Sequence, residues 1–136
     1  MKRTASAHWE GDLKTGKGNI STQSTILNKT QYSFKTRFED GAGTNPEELI
    51  AAAHAGCFTM QLSVDVTQAG FTVNAMDTVA TLTLEGLDIT NIHLSVKGSI
   101  PKITAAQFTE LSKGAEQKCI ISRALKVPIT SDAQLV

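Results

Sequence analysis

Two cysteines are the residues of this chain best suited to covalent chemistry. Cys57 lies in Ala52-Ala53-His54-Ala55-Gly56-Cys57-Phe58, and Cys119 opens Cys119-Ile120-Ile121-Ser122-Arg123-Ala124-Leu125. A thiolate is a strong nucleophile; a peroxide oxidises it to a sulfenic acid, which a second thiol captures as a disulfide. The two lie 62 positions apart, each on the apolar face of its own expected helix, so they could meet in one core. The alternative is that each fills space, because free cysteine is among the most buried residue types and packs as a small hydrophobe. No Cys-x-x-Cys is present, so a thioredoxin-type motif and a zinc knuckle both lack support. His8, His54 and His93 are scattered without ligand spacing, and no metal is assigned.

Other candidates have ordinary explanations beside their chemical ones. His54 stands one turn before Cys57 and could touch its thiol, although such a histidine more often hydrogen-bonds locally. Cys57 with His54 also permits a thiol hydrolase, but no third residue to orient the pair is evident. Glu47 and Glu48 suit a helix first turn, where each complements the dipole by roughly 0.3–1 kcal/mol. Arg37 falls on the polar face of an expected strand, whose default is a solvated arginine. Cys119 follows Lys118 at a helix end, and a short helix after it would lend its thiol some thiolate character.

These residues need elements to position them. Residues 3–10, 17–25 and 31–38 read as a β-meander, rich in Thr, Ser, Ile and aromatics and broken at Gly11, Gly16, Gly18, Asn28 and Lys29. In the third segment Tyr32, Phe34 and Phe38 alternate with Ser33, Lys35 and Arg37. After Asp40-Gly41-Ala42-Gly43, Asn45 is placed as an N-cap with Pro46 at the first helical position and Glu48 in capping-box position. Leu49, Ala53, Cys57, Met60 and Val64 then recur on one helical face, and Gly70 stops a helix over about 46–69. Two long strands near 71–85 and 89–100 flank the turn Gly86-Leu87-Asp88. Thr104 and Gln107 form a capping box for a second helix, with Ile103 and Phe108 as its hydrophobic staple. A helical turn over 120–126 and a strand over 127–134 complete an α+β fold, a mainly antiparallel sheet packed on two main helices.

At 136 residues the chain has the size of a single domain, 1–136, large enough for one hydrophobic core. Thirteen basic and thirteen acidic residues cancel, and with no basic run or RNA-binding aromatic signature, nucleic-acid binding is not expected. The N-terminus lacks the apolar core of a secretory signal. The least polar stretch, 49–64, is about 16 residues against the roughly 20 that span a bilayer, so a cytoplasmic protein without a membrane partner is expected. There a transient catalytic disulfide is more at home than a structural one. A nearly uncharged central helix is hard to cover in so small a domain, and homodimerisation through it is the natural solution.

Over essentially its whole length the chain resembles the OsmC/Ohr family, and within it the OsmC branch of osmotically inducible thiol peroxidases. The resemblance runs through Ala7-His8-Trp9-Glu10-Gly11-Asp12, Phe34-Lys35-Thr36-Arg37-Phe38-Glu39 and Gly43-Thr44-Asn45-Pro46-Glu47-Glu48-Leu49-Ile50 to the segments around Cys57 and Cys119. It departs from the pattern at Ile120, where the family usually has proline. The resemblance implies an intertwined homodimer that reduces organic hydroperoxides and hydrogen peroxide without metal, haem or flavin. Cys57 would attack the peroxide, Cys119 would resolve the sulfenic acid as a disulfide, and an external dithiol would reopen it. Arg37 would hold the Cys57 thiolate and Glu47 would position Arg37. Along a continuous helix Glu47 would lie about 15 Å from Cys57, so the helix breaks, or the arginine arrives on a folded-back segment or from the other subunit. The other reading is a dimeric stress-related binding or structural protein that keeps the fold without efficient chemistry.

Overall fold

The computed structural model describes residues Met1–Val136. The chain forms two compact units, Met1–Leu49 and Ile50–Val136.

In the first unit β1 (Ala5–Glu10), β2 (Lys17–Thr22) and β3 (Thr30–Tyr32) form an antiparallel three-stranded meander in the order β1-β2-β3. Gly18 pairs with both Trp9 and Tyr32, whose rings lie 5.4 Å apart. A Cβ on Gly18 would come within 2.5 Å of the Tyr32 ring and 2.6 Å of the Trp9 ring, so the two aromatics close over a position that only glycine leaves open. The expected third strand over 31–38 ends at Tyr32. Residues Phe34–Phe38 form instead a short helix, α1, started by a complete capping box between Ser33 and Thr36. Phe34 and Phe38, read above as alternate strand positions, are i and i+4 on this helix with ring centroids 4.9 Å apart. Arg37 is therefore a helical residue, and the assignment to a strand's polar face is corrected. An Ser-x-x-Thr cap competes with an alternating strand pattern, and here the cap prevails.

α2 (Pro46–Gln68) begins as expected: Asn45 Oδ1 accepts the Glu48 N–H at 2.8 Å. The reciprocal half of the expected capping box is absent, because Glu48 instead accepts from the Thr44 hydroxyl at 2.6 Å. α2 spans the expected range to within one residue, and by length and composition alone its 23 residues could cross a membrane. Yet Phe58, Leu62 and Val66 on it are fully buried within the second unit. Gly70, at φ +89°, ends the helix, with the Phe71 N–H returning to Val66 O.

The second unit continues with β4 (Ala75–Glu85), β5 (Asp88–Ser99), α3 (Ala105–Lys118), α4 (Ile120–Ala124) and β6 (Ile129–Leu135). Its sheet has the order β4-β5-β6; β4 and β5 are an antiparallel hairpin, while β6 runs parallel to β5 after the α3–α4 crossover. Thr104 and Gln107 make the predicted capping box, and Ile103 and Phe108 are both buried. Leu94 and Val96 of β5 point to the same face, against Phe58, Leu62 and Val66 of α2 and Phe108 and Ala115 of α3. Each of these side chains larger than Ala115 contributes about 1.5–3 kcal/mol by leaving water.

The stripe expected to form the core of α2 does not. Met60 is 74% and Val64 48% exposed; the face turned inward carries His54, Phe58, Leu62, Asp65 and Val66. α2 has two apolar stripes, and the chain's own core takes only one.

Candidate functional site

Cys57 sits on the boundary between those two stripes. It is half-buried, touches the core of the second unit, and opens into an apolar hollow of about 540 Å³ lined by Ala53, Met60, Gln61, Val64, Ile120 and Ile121. The hollow is made from the outer face of α2 and the first turn of α4. An apolar organic molecule with one polar end could enter it and meet the sulfur.

Cys119 lies beside Cys57. It is fully buried at the junction where α3 ends and α4 starts, with φ −53° and ψ 127°. Both thiols are free, and Cys57 packs against the core cluster that contains Cys119. Burial raises the pKa of Cys119 above the ordinary thiol range, and the Cys57 side chain adds to the rise. The N–H of Ser122, its hydroxyl and the N–H of Ile121 pull the other way, since each favours a thiolate. Ile120 is the first residue of α4 and 73% exposed. The helical turn after Cys119 thus forms without proline at that position.

His54, one turn before Cys57, is fully buried on the inner face of α2. It neither bonds locally nor joins the Cys57 thiol: its Nε2 is 2.7 Å from Ser122 Oγ on α4. Burial lowers its pKa, partly offset by the negative charge of Glu116. Ser122 carried no expectation in the sequence. The signal was the Cys-x-x-Ser spacing, which puts a hydroxyl in the first turn of whatever helix follows the cysteine. A second pair went unforeseen: Lys118 Nζ reaches Asp65 Oδ1 at 3.1 Å, and Asp65 is nearly fully buried, tying the end of α3 to α2 beside Cys119.

In the first unit, Arg37 on α1 and Glu47 in the first turn of α2 form an ion pair. Arg37 Nη2 and Nε lie 2.7 Å and 2.8 Å from Glu47 Oε1. The Arg37 guanidinium carbon is also 5.3 Å from the Phe38 ring centroid. Around it Trp9, Leu13, Tyr32, Phe34 and Pro46 enclose a small hollow of about 60 Å³. The local order is tight: Asn45 Nδ2 donates to Thr36 O at 2.9 Å, linking α1 to the start of α2. α2 itself is continuous from Pro46 to Gln68, so the helix does not break between Glu47 and Cys57.

The structure thus brings together two pairs from the four predicted residues, Cys57 with Cys119 and Arg37 with Glu47. Comparison with known proteins adds the following. A family model described as OsmC-like protein matches residues 39–133. The chain is 47% identical over 139 aligned positions to Peroxiredoxin OsmC of Escherichia coli (strain K12), covering 99% of this chain and 97% of that protein. Among solved structures, an OsmC-like protein of unknown function from Vibrio cholerae aligns with a TM-score of 0.76 at 14% identity, over 98% of this chain and 99% of that one. The organic hydroperoxide resistance protein OhrB of Bacillus subtilis aligns with a TM-score of 0.67 at 21% identity, over 98% of each.

Proposed function

Since the chain belongs to the OsmC family, we propose that it is a cysteine peroxidase that reduces hydroperoxides through Cys57 and Cys119. One observation carries this reading: a half-buried thiol faces an apolar hollow while a second thiol, 62 residues further on, lies in the buried cluster it packs against. A space-filling pair of cysteines explains the inner thiol but not the partial exposure of the outer one.

The Cys57 thiolate attacks the terminal oxygen of a hydroperoxide, whose O–O bond breaks to release alcohol or water, and Cys57 becomes a sulfenic acid. The apolar hollow holds the organic part of the substrate. Cys119 attacks that sulfenic acid, water leaves, and the Cys57–Cys119 disulfide shields the first sulfur from further oxidation. An external dithiol then restores both thiols.

Arg37 is the cation assigned to the Cys57 thiolate and the peroxide, and Glu47 fixes its orientation. Ten residues of unbroken helix separate Glu47 from Cys57, about 15 Å of rise. We therefore assign the arginine at each thiol to the partner protomer of an intertwined homodimer. The exposed stripe of Ala53, Met60 and Val64, which also walls the hollow, supplies the apolar surface such a dimer would bury, so the substrate site would lie at the interface. On this reading residues 1–136 act as one functional domain in the cytoplasm, with no membrane or nucleic-acid partner.

The test is hydroperoxide consumption with a dithiol reductant, followed by peptide mapping without reduction. Wild type should consume peroxide and yield the Cys57–Cys119 bond. Cys57→Ser should be inactive, and Cys119→Ser should react once and accumulate sulfenic or sulfinic Cys57. Equal single-turnover rates in wild type and Cys57→Ser would refute the assignment and leave a binding or structural protein of the same fold.

A further inference from the structure

Cys119 must act as a nucleophile from a fully buried position, where charge developing on sulfur is poorly solvated. Something has to receive that charge. The His54–Ser122 pair is the polar group built beside it. His54 comes from α2 and Ser122 from the first turn of α4, three residues after Cys119, and their side chains meet at 2.7 Å across 68 residues of sequence.

The direction of this hydrogen bond follows from what surrounds the ring. His54 is fully buried and its Nδ1 has no partner. Burial favours the neutral imidazole, against the pull of Glu116. Of the two neutral tautomers, one would bury an N–H at Nδ1 with nothing to accept it. The other leaves only a lone pair unmatched there, the lesser cost. Nε2 therefore carries the proton and donates to Ser122 Oγ. With that oxygen occupied as an acceptor, the serine proton is free to turn to another acceptor, and Cys119, the N-cap residue three positions earlier, stands on the same turn of α4.

We propose that His54 and Ser122 form a directed hydrogen-bond chain ending on Cys119 Sγ, in which Ser122 stabilises the charge on Cys119 as it attacks oxidised Cys57 and His54 is the positioning residue that fixes the serine hydroxyl. This rests on the peroxidase reading and extends it to the resolving step. The step balances without an external base. The Cys119 S–H bond breaks and its proton goes to the hydroxyl oxygen of the Cys57 sulfenic acid. The Cys119 electron pair forms the S–S bond, the Cys57 S–O bond breaks, and water leaves. Cys119 is oxidised and the sulfenic sulfur is reduced. Ser122 and His54 lend hydrogen bonds and keep their protons.

The experiment uses the full chain, reduced and then mixed with one equivalent of tert-butyl hydroperoxide. Samples are trapped with dimedone for sulfenic acid and mapped for disulfide at successive times. Ser122→Ala and His54→Leu should accumulate the dimedone-reactive form of Cys57 and form the disulfide about a hundred- to a thousandfold more slowly, the order expected for loss of one preorganised donor. Ser122→Thr and His54→Gln, which restore a donor at the same place, should resolve close to the wild-type rate. Circular dichroism confirms folding, and if His54→Leu does not fold, Ser122→Ala decides alone. Disulfide formation at wild-type speed in Ser122→Ala overturns the proposal. Failure of His54→Gln to rescue a folded His54→Leu returns His54 to a packing role and overturns its part. A wild-type chain whose Cys57 is never oxidised instead removes the peroxidase reading, and the proposal with it.

Discussion

Arg37 grips Glu47 with two nitrogens, yet both converge on one oxygen, Oε1, while Oε2 is buried without a partner. This is not the parallel fork of an ordinary arginine–carboxylate pair. It orients the guanidinium through one edge and leaves Nη1 uncommitted. The Arg37 side chain remains 44% exposed while that of Glu47 is 13% exposed. On the proposed reading this leaves the cation free to meet a second anion.

Arg37→Ala should cost about 1–3 kcal/mol of stability, because it leaves the largely buried Glu47 carboxylate without its partner. The rate of Cys57 oxidation near neutral pH should nevertheless collapse. Glu47→Gln should keep the fold and slow oxidation less severely. Lysine at position 37 should substitute poorly, because a point charge cannot meet thiolate, carboxylate and peroxide with one planar group. Stopped-flow oxidation rates beside thermal midpoints separate the two effects. Superimposable rates in all variants would make Arg37 a solvated side chain.

The outer stripe of α2 predicts a different pattern. Met60→Lys lies on a surface that the free chain leaves open, so it should change the stability of an isolated protomer by about 0.5 kcal/mol or less. It should nonetheless abolish the dimer in analytical ultracentrifugation. Phe58→Ala, on the inner stripe, should cost about 3–5 kcal/mol of stability instead. A Met60→Lys protein that still sediments as a dimer would exclude the stripe from the interface.

Those two stripes also show where the sequence was legible and where it was not. The starts of α2 and α3 and the β4–β5 hairpin are written in local chemistry: Asn45-Pro46, Thr104 with Gln107, and the turn at Gly86. Such signals act within a few residues and survive any tertiary context. Which face of α2 turns inward is not local. Leu49, Ala53, Cys57, Met60 and Val64 have helical spacing, and so do Phe58, Leu62 and Val66; periodicity alone cannot say which belongs to the chain's own core. α1 was hidden because Tyr32, Phe34 and Phe38 fit a period of two, and Phe34 and Phe38 also fit a period near four, with Ser33 deciding between them. At the site, the two cysteines stood out by their chemistry. Ser122 did not, because its role depends on His54, which lies 68 residues away in sequence.

His54 also predicts how stability varies with pH. Its ordinary value is 6.5, and burial lowers it in the folded chain. Just below that ordinary value the unfolded chain binds a proton that the folded chain refuses, so the contribution of His54 is complete above about pH 6.5 and declines as the pH falls beneath it. Denaturant midpoints at about pH 7.5 and about pH 5.5 should therefore differ more for wild type than for His54→Gln. Equal differences in the two proteins would show that the folded chain takes up the proton at no cost.

The unequal exposure of the two sulfurs sets the regiochemistry of reduction. Cys57 is half-buried at an open hollow, whereas Cys119 is wholly enclosed. In the proposed cycle an incoming thiolate would meet the disulfide from the hollow, so the mixed disulfide would form on Cys57 with Cys119 as the leaving group. Departure from a thiol whose proton affinity is raised by burial is slow unless its charge is caught as it leaves. The reductant thus works against the same enclosure that protects Cys119 from peroxide. Trapping the oxidised protein with a reductase that lacks its second cysteine should give an adduct at Cys57 alone; an adduct at Cys119 would mean that the enclosure opens on oxidation.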